Sequence, residues 1–155
     1  MVVRRRERTS AAAPVPAMLE DSKLRMTHGD VDGVHQSSAD VFSELDGTVV
    51  LRFHSECRLS EAQAAAVARE HVRAARGEKR PVLADVRGLI AADRGSRQVA
   101  AGPEVSAITL RMAILVDNPL TRVLGNFFLR VTTPEYPTRI FNDEARARAW
   151  LREPA

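Results

Sequence analysis

The fold is decided by one stretch, Val41-Phe42-Ser43-Glu44-Leu45-Asp46-Gly47-Thr48-Val49-Val50-Leu51-Arg52-Phe53. Asp46-Gly47 lies between two runs that contain β-branched and aromatic residues, and Asp-Gly supplies the positive φ angles that a tight turn needs. The run from Thr48 to Phe53 is almost continuously apolar, which is typical of a strand buried on both faces. The stretch therefore predicts a β-hairpin whose second arm lies inside a sheet.

A helix is predicted directly after this hairpin, over residues 60–76. Ser60 and Gln63 have the spacing of a capping box, and Gly77 has the position of a helix terminator. Small and apolar residues recur at helical spacing, which predicts that their face packs on the sheet. The residues with this spacing are Ala62, Ala65, Ala66, Arg69, Val72 and Arg73.

The remaining chain alternates short apolar runs with helical patterns. Strands are predicted at 81–86, 111–116 and 139–141. Helices are predicted from Ser96 to about Val105 and ended by Gly102-Pro103, from Asn118-Pro119 through Phe128, and from an Asn142 cap through Ala147, Trp150 and Leu151. The order β-β-α-β-α-β-α-β-α predicts an α/β domain with a mixed four- to five-stranded sheet and about four helices.

Composition places this domain at residues 39–155, behind a disordered tail at residues 1–38. The tail lacks sustained periodicity and is rich in Ala, Pro, Ser and charge. Cys57 is the one cysteine among 155 residues, so no internal disulfide forms, and the arginine-rich start lacks the apolar run of a signal peptide. We therefore expect a cytoplasmic protein without a membrane span.

A family resemblance rests on two stretches, Asp85-Val86-Arg87-Gly88-Leu89 and residues 139–151. Asp85 and Asp93, eight residues apart, are similar to the two aspartates of STAS domains, the anti-sigma-factor antagonists and their relatives. The ending from Arg139-Ile140-Phe141-Asn142 to Leu151 also resembles bacterial STAS-like proteins, which are often grouped with CRAL-TRIO-type lipid-binding folds. The resemblance spans about residues 41–152 and implies a STAS-like fold with a role in protein interaction.

The chain departs from this family at the position of the phosphorylated serine. Arg94 stands there, and the first available hydroxyl is Ser96, where the family motif has glycine. We therefore predict a regulatory module without the usual serine phospho-switch. Asp93, Arg94, Ser96 and Arg97 are predicted to bind a partner or an anion, since helix starts and arginines favour anions. The alternative is that Asp93 or Ser96 only caps the helix.

A second candidate site is the apolar helix that contains Leu120, Leu124, Phe127 and Phe128. These residues cannot all lie on one narrow face, so some of them could line a pocket for an apolar small molecule. The runner-up function is therefore a CRAL-TRIO-like carrier. The alternative is an ordinary core stripe.

Weaker candidates are a His54–Cys57 pair, a metal site formed by His28, Asp30, Asp32 and His35, and a basic start from Arg4 to Arg8. We expect loop or tail residues in each case. Phosphate-binding loops and nucleophile-elbow motifs are missing from the sequence. An enzyme of unrecognised chemistry is thus the third alternative, and no catalytic residue, metal or cofactor is predicted.

The expected partner is a protein, and a homodimer is also compatible with the sequence. The alternative ligand is an apolar small molecule. Nucleic acid is not an expected partner, because the net charge is +3 and aromatic residues make up only 5% of the chain.

Overall fold

The computed structural model describes residues 37–154, apart from the side chains at positions 120, 124, 125, 127, 128, 131 and 132. The predicted tail, the metal site at 28–35 and the basic start therefore lie outside the described residues, apart from the last two positions of the tail. The elements in chain order are β1 (Ala39–Ser43), β2 (Val49–Phe53), β3 (Cys57–Leu59), α1 (Glu61–Ala75), β4 (Arg80–Asp85), β5 (Leu89–Ala92), α2 (Arg94–Ala100), α3 (Pro103–Ile108), β6 (Thr109–Leu115), α4 (Pro119–Thr132), β7 (Thr138–Phe141) and α5 (Glu144–Leu151).

The main sheet has five strands in the order β1-β2-β4-β6-β7. β1 and β2 form the predicted antiparallel hairpin, and the other neighbouring strands are parallel. In the turn the Gly47 amide donates to the Glu44 carbonyl oxygen at 3.0 Å, and Gly47 has a φ of +88°. The predicted mixed α/β sheet is confirmed.

Helix α1 begins as predicted but packs through a different face. Ser60 and Gln63 form the capping box, and the chain turns left-handed at Arg76 and Gly77. The predicted face was wrong, because Ala62 and Val72 are exposed. Alanines occupy several faces of this helix, so their spacing does not single out one of them. The buried residues are Ala64, Val67, Ala68, His71 and Ala75.

Two short strands were not predicted. β3 and β5 pair in parallel as a separate two-stranded sheet. The loop before β5 passes close to the backbone of His54, where a Cβ on Gly88 would overlap the His54 carbonyl group. Gly88 therefore allows β5 to lie beside β3.

Three helix boundaries differ from the prediction. The helix predicted to start at Ser96 starts at Arg94, with Asp93 as its N-cap. Gly102-Pro103 ends α2 but also begins α3, with Gly102 as the N-cap and Pro103 in the first turn. Proline suits a helix start as well as it ends the preceding helix. The cap of α5 is Asp143 and not Asn142, because the Asp143 side chain accepts a hydrogen bond from the Arg146 amide at 2.9 Å.

The main sheet buries both faces. On the α5 face, Val50 and Leu83 pack with Trp150, which is 7% exposed as predicted. On the α1 face, Val49 and Leu51 belong to the cluster that packs against helix α1. No helix within residues 37–154 has the length and apolar character to cross a membrane.

Candidate functional site

The α2 start, meaning residues Asp93–Arg97, lies where β5 ends beside the beginning of α1. Asp93 caps α2, since its Oδ1 accepts from the Ser96 amide at 2.6 Å. Its Oδ2 accepts from the Glu61 amide at 3.2 Å, so one carboxylate joins the starts of both helices. The hydrogen bond from the Ser96 backbone holds the pKa of Asp93 below its ordinary value.

The four predicted site residues differ in their exposure to solvent. Asp93 and Arg94 are exposed, whereas Ser96 is 1% exposed and its hydroxyl donates to the Asp93 carbonyl oxygen at 2.8 Å. Arg97 is half-buried, and its Nη1 donates to the Ala92 carbonyl oxygen at 2.7 Å. Arg94 is therefore the cation of this turn that extends most freely from the surface.

An apolar cavity lies beneath the α2 start, between α2, the β3–β5 pair and the α1 face of the main sheet. Its volume is about 120 Å³. Apart from Ser96 and Arg97, the described side chains of its walls are apolar. The lining residues are Leu51, Phe53, Leu59, Ala84, Val86, Leu89, Ala92, Ser96, Arg97, Ala100, Met112 and Ile114.

A smaller chamber of about 60 Å³ adjoins this cavity and extends beneath α1. The two chambers share five lining residues, namely Leu51, Phe53, Leu59, Ala100 and Met112. The wall that belongs only to the smaller chamber includes His71, which is 1% exposed.

His71 is the functional candidate that sequence reasoning missed. Its Nε2 has no hydrogen-bond partner among the described residues, and burial lowers the pKa of His71 to about 4. The imidazole is therefore neutral near pH 7. The sequence does contain a signal for its burial. His71 lies four residues after Val67 and four before Ala75, which places it on the buried face of α1.

The predicted pocket residues on α4 cannot be compared with these chambers. The helix begins as expected, with a capping box between Asn118 and Thr121. The side chains of Leu120, Leu124, Phe127 and Phe128 lie outside those described. Their role as a pocket wall stays a prediction.

Asp85, the first aspartate of the STAS-like stretch, is held in an ion-pair network at the end of β4. Arg87 donates to its two oxygens at 2.8 and 2.7 Å, and Arg52 lies at 3.4 Å. Burial acts to raise the pKa of Asp85, but the hydrogen bonds from Arg87 outweigh it and hold the pKa below its ordinary value. Arg87 also lies 3.6 Å from Glu144 of α5, so the network anchors that helix to the sheet.

No hydrogen bond joins His54 to Cys57 among the described residues. His54 Nε2 lies 3.1 Å from Asp40 Oδ1, and Cys57 begins strand β3. Burial raises the pKa of the Cys57 thiol, which disfavours the reactive thiolate. Across residues 37–154, no three His, Cys, Asp or Glu side chains cluster closely enough to hold a metal ion.

Comparison with known proteins gives a family and a fold. The model of a domain of unknown function, DUF7793, matches residues 42–154. A solved structure from Shewanella loihica PV-4, described as an uncharacterized protein from the DUF3478 family with a SpoIIAA-like fold, is similar with a TM-score of 0.53. The two chains are 17% identical, and the match covers 73% of this chain and 91% of that one. No curated protein matches.

At this identity the likeness to the Shewanella protein concerns the fold alone. It confirms the STAS-like architecture predicted from Asp85, Asp93 and the order of elements, since the SpoIIAA-like fold is that of the anti-sigma-factor antagonists. The chain has a STAS-like fold and belongs to the family of the DUF7793 domain.

Proposed function

We propose that the chain is a non-catalytic regulatory module that binds an acidic segment of a protein partner at the α2 start. The observation that carries this proposal is Arg94. Its side chain is exposed, and it forms no hydrogen bond or ion pair within the described part of the chain. An exposed guanidinium can bind a carboxylate with two parallel hydrogen bonds.

The neighbouring groups support a fixed surface at this place. Asp93 is hydrogen-bonded to the amides of Ser96 and Glu61, which holds the turn against α1. Arg97 is held by the carbonyl group of Ala92. A surface that is already ordered loses little conformational entropy on binding.

The buried hydroxyl of Ser96 supports a mechanism that does not depend on serine phosphorylation. Its Oγ donates to the Asp93 carbonyl oxygen inside the turn, and Arg94 occupies the position of the family's phosphorylated serine. A kinase would have to unfold the first turn of α2 to reach this hydroxyl. We therefore expect partner binding to be controlled by some means other than phosphorylation of Ser96.

The test is quantitative capture of partners from native lysate by wild-type protein and by an Arg94→Ala/Arg97→Ala variant. Loss of charged hydrogen bonds typically costs about 1–3 kcal/mol, so the partner should be lost or bound at least roughly tenfold more weakly. An Arg69→Ala/Arg73→Ala variant removes the same charge from exposed positions on α1 and should retain the partner.

Thermal melting of both variants distinguishes a loss of partner binding from a loss of the folded structure. Equal capture by the wild-type protein and both variants at the same salt would place the partner surface elsewhere. Unfolding of the Arg94→Ala/Arg97→Ala protein would show that these arginines are structural. Arg94→Ala alone is the cleaner variant, because Arg97 also bonds to the end of β5.

A second candidate function is carriage or sensing of an apolar small molecule. The cavity of about 120 Å³ between α2 and the α1 face favours it. This cavity was not predicted, because its described walls come from the sheet and α2, whereas the sequence pointed to α4.

A further inference from the structure

Two adjoining chambers provide room for one small ligand. Their volumes are about 120 and 60 Å³, and they share the side chains of Leu51, Phe53, Met112 and two others. An apolar cavity of about 150 Å³ admits a molecule of the size of benzene. The larger chamber is close to that size, and the smaller one extends it towards α1.

His71, which lines the smaller chamber, has a buried polar atom, Nε2, that lacks a hydrogen-bond partner among the described residues. Buried polar side-chain atoms nearly always have a hydrogen-bond partner, so an orphaned one calls for an explanation. The other described side chains of this chamber supply only carbon atoms and the sulfur of Met112. They are Leu51, Phe53, Leu59, Ala64, Val67, Ala68, Ala100, Val105 and Met112.

A bound water molecule is a poor partner for this atom. An ordered internal water needs two to four polar partners, and His71 is the one polar side chain among the described residues that line this chamber. A ligand differs from water because its apolar part can fill the larger chamber while a single polar group reaches His71.

The charge of the site limits the polar group of such a ligand. Burial lowers the pKa of His71 to about 4, so the ring is neutral near pH 7. A hydroxyl group suits a neutral imidazole in either tautomer, because it can both donate and accept a hydrogen bond. Of the two polar residues described for the larger chamber, Ser96 donates its hydroxyl to the Asp93 carbonyl oxygen and Arg97 donates Nη1 to that of Ala92.

We infer that His71 is the polar anchor of a ligand site in these two chambers, and that the ligand is a neutral molecule with an apolar body of about benzene size and one hydroxyl group. This inference rests on the second candidate function and gives it a ligand class. The apolar body occupies the larger chamber, and the hydroxyl group pairs with Nε2 in the smaller one.

The test is a titration of the full-length protein with phenol, benzene and benzoate, followed by NMR and calorimetry. Phenol should bind about five- to tenfold more tightly than benzene, as expected for one added hydrogen bond. Phenol, but not benzene, should move the ¹⁵N resonance of His71 Nε2. This resonance is measured on the wild-type protein and therefore does not depend on any variant.

Three variants refine the result. His71→Leu should bind phenol and benzene equally, whereas His71→Gln keeps a polar group at this place and should retain part of the preference. Ala84→Leu fills the larger chamber from β4 and should weaken binding of both probes. His54→Gln, at an exposed histidine, should bind like the wild-type protein.

Each contrary outcome overturns a different claim. Equal binding of phenol and benzene, with an unchanged ¹⁵N resonance of His71 Nε2, would rule out His71 as the anchor. The carrier function would not be contradicted by this result. Tightest binding of benzoate would mean an anionic ligand held by Arg97. Absence of binding by all three probes would overturn both the ligand class and the carrier function.

Discussion

The two faces of the main sheet are packed in different ways. On the α5 face, Val50, Leu83 and Ala113 are wholly buried, and the ring of Trp150 lies 5.7 Å from that of Phe141. On the α1 face, neighbouring residues of the same strands line the two chambers. Among the described residues, none that lines either chamber belongs to the cluster on the α5 face.

Alternation along the strands divides the side chains between the two faces. In β4, Leu83 faces α5 and the next residue, Ala84, lines the larger chamber, because successive side chains point to opposite faces. In β4 the α5 face receives a leucine and the α1 face an alanine, whereas in β6 the α5 face receives Ala113 and the α1 face Met112 and Ile114. The filled α5 face thus maintains the fold, while the chambers leave room for a ligand on the α1 face.

The largest expected effect is that of Trp150→Ala on the α5 face. Removal of a buried tryptophan typically costs about 3–5 kcal/mol of unfolding free energy. Here it also removes the ring on which the guanidinium groups of Arg111 and Arg139 stack, each 5.3 Å from the ring centroid. Urea unfolding measures the loss, and Leu45→Ala at a fully exposed site is the control.

A loss of less than about 1 kcal/mol for Trp150→Ala would contradict the structural role of the α5 face, since even moderate core truncations exceed it. Trp150→Phe keeps an aromatic ring and should fold if the alanine variant does not. Its loss should be intermediate.

The next effect concerns pH and His71 on the α1 face. Its pKa falls from 6.5 in the unfolded chain to about 4 in the folded one, which corresponds to about 3 kcal/mol. Between these two values the unfolded chain binds more protons than the folded one, so stability falls as the pH falls. This contribution is complete above pH 6.5 and is lost progressively towards pH 4.

The measurement compares urea unfolding at pH 7.0 and pH 4.5 for wild-type protein and His71→Leu. The wild-type protein should lose about 2–3 kcal/mol more than the variant over this interval. Equal losses would show that His71 is hydrated in the folded protein. Asp85 does not confuse the comparison, because its carboxylate network is present in both proteins.

The parts of the fold that were predicted depend on local signals. The Asp46-Gly47 turn and the Ser60–Gln63 capping box each involve residues a few positions apart, and both formed as expected. Strands β3 and β5 were missed because they are short and pair with each other outside the main sheet. Their pairing depends on Gly88, where a Cβ would overlap the backbone of His54, a residue far away in the sequence.

The site was harder to predict because it depends on contacts between residues that are far apart in the sequence. A helix cap at Asp93 was one alternative offered by the sequence, but its second bond to Glu61 joins residues 32 positions apart. His71 could have been placed on the buried face from its register with Val67 and Ala75. Its missing partner, however, is a property of the assembled chamber walls, which come from strands and helices spread over residues 51–114.

The smallest expected effect compares two buried alanines on adjacent strands, Ala84 of β4 and Ala113 of β6. Ala84 lines the larger chamber, while Ala113 is wholly buried on the α5 face. Three added carbon atoms in a filled core typically cost about 1–3 kcal/mol through strain. In an existing chamber the same atoms gain apolar burial of about 0.8 kcal/mol per methylene group, reduced by lost rotamer freedom of about 0.5–1 kcal/mol.

Ala84→Leu should therefore leave the unfolding free energy unchanged or raise it by about 1 kcal/mol, whereas Ala113→Leu should lower it by about 1–3 kcal/mol. Urea unfolding of both variants at pH 7 measures the difference, which is a direct test of the contrast between the faces. Equal destabilisation would mean that the α1 face is as tightly packed as the α5 face. In that case the space next to Ala84 could not hold a ligand, and the small side chains of that wall would only match the shape of α2.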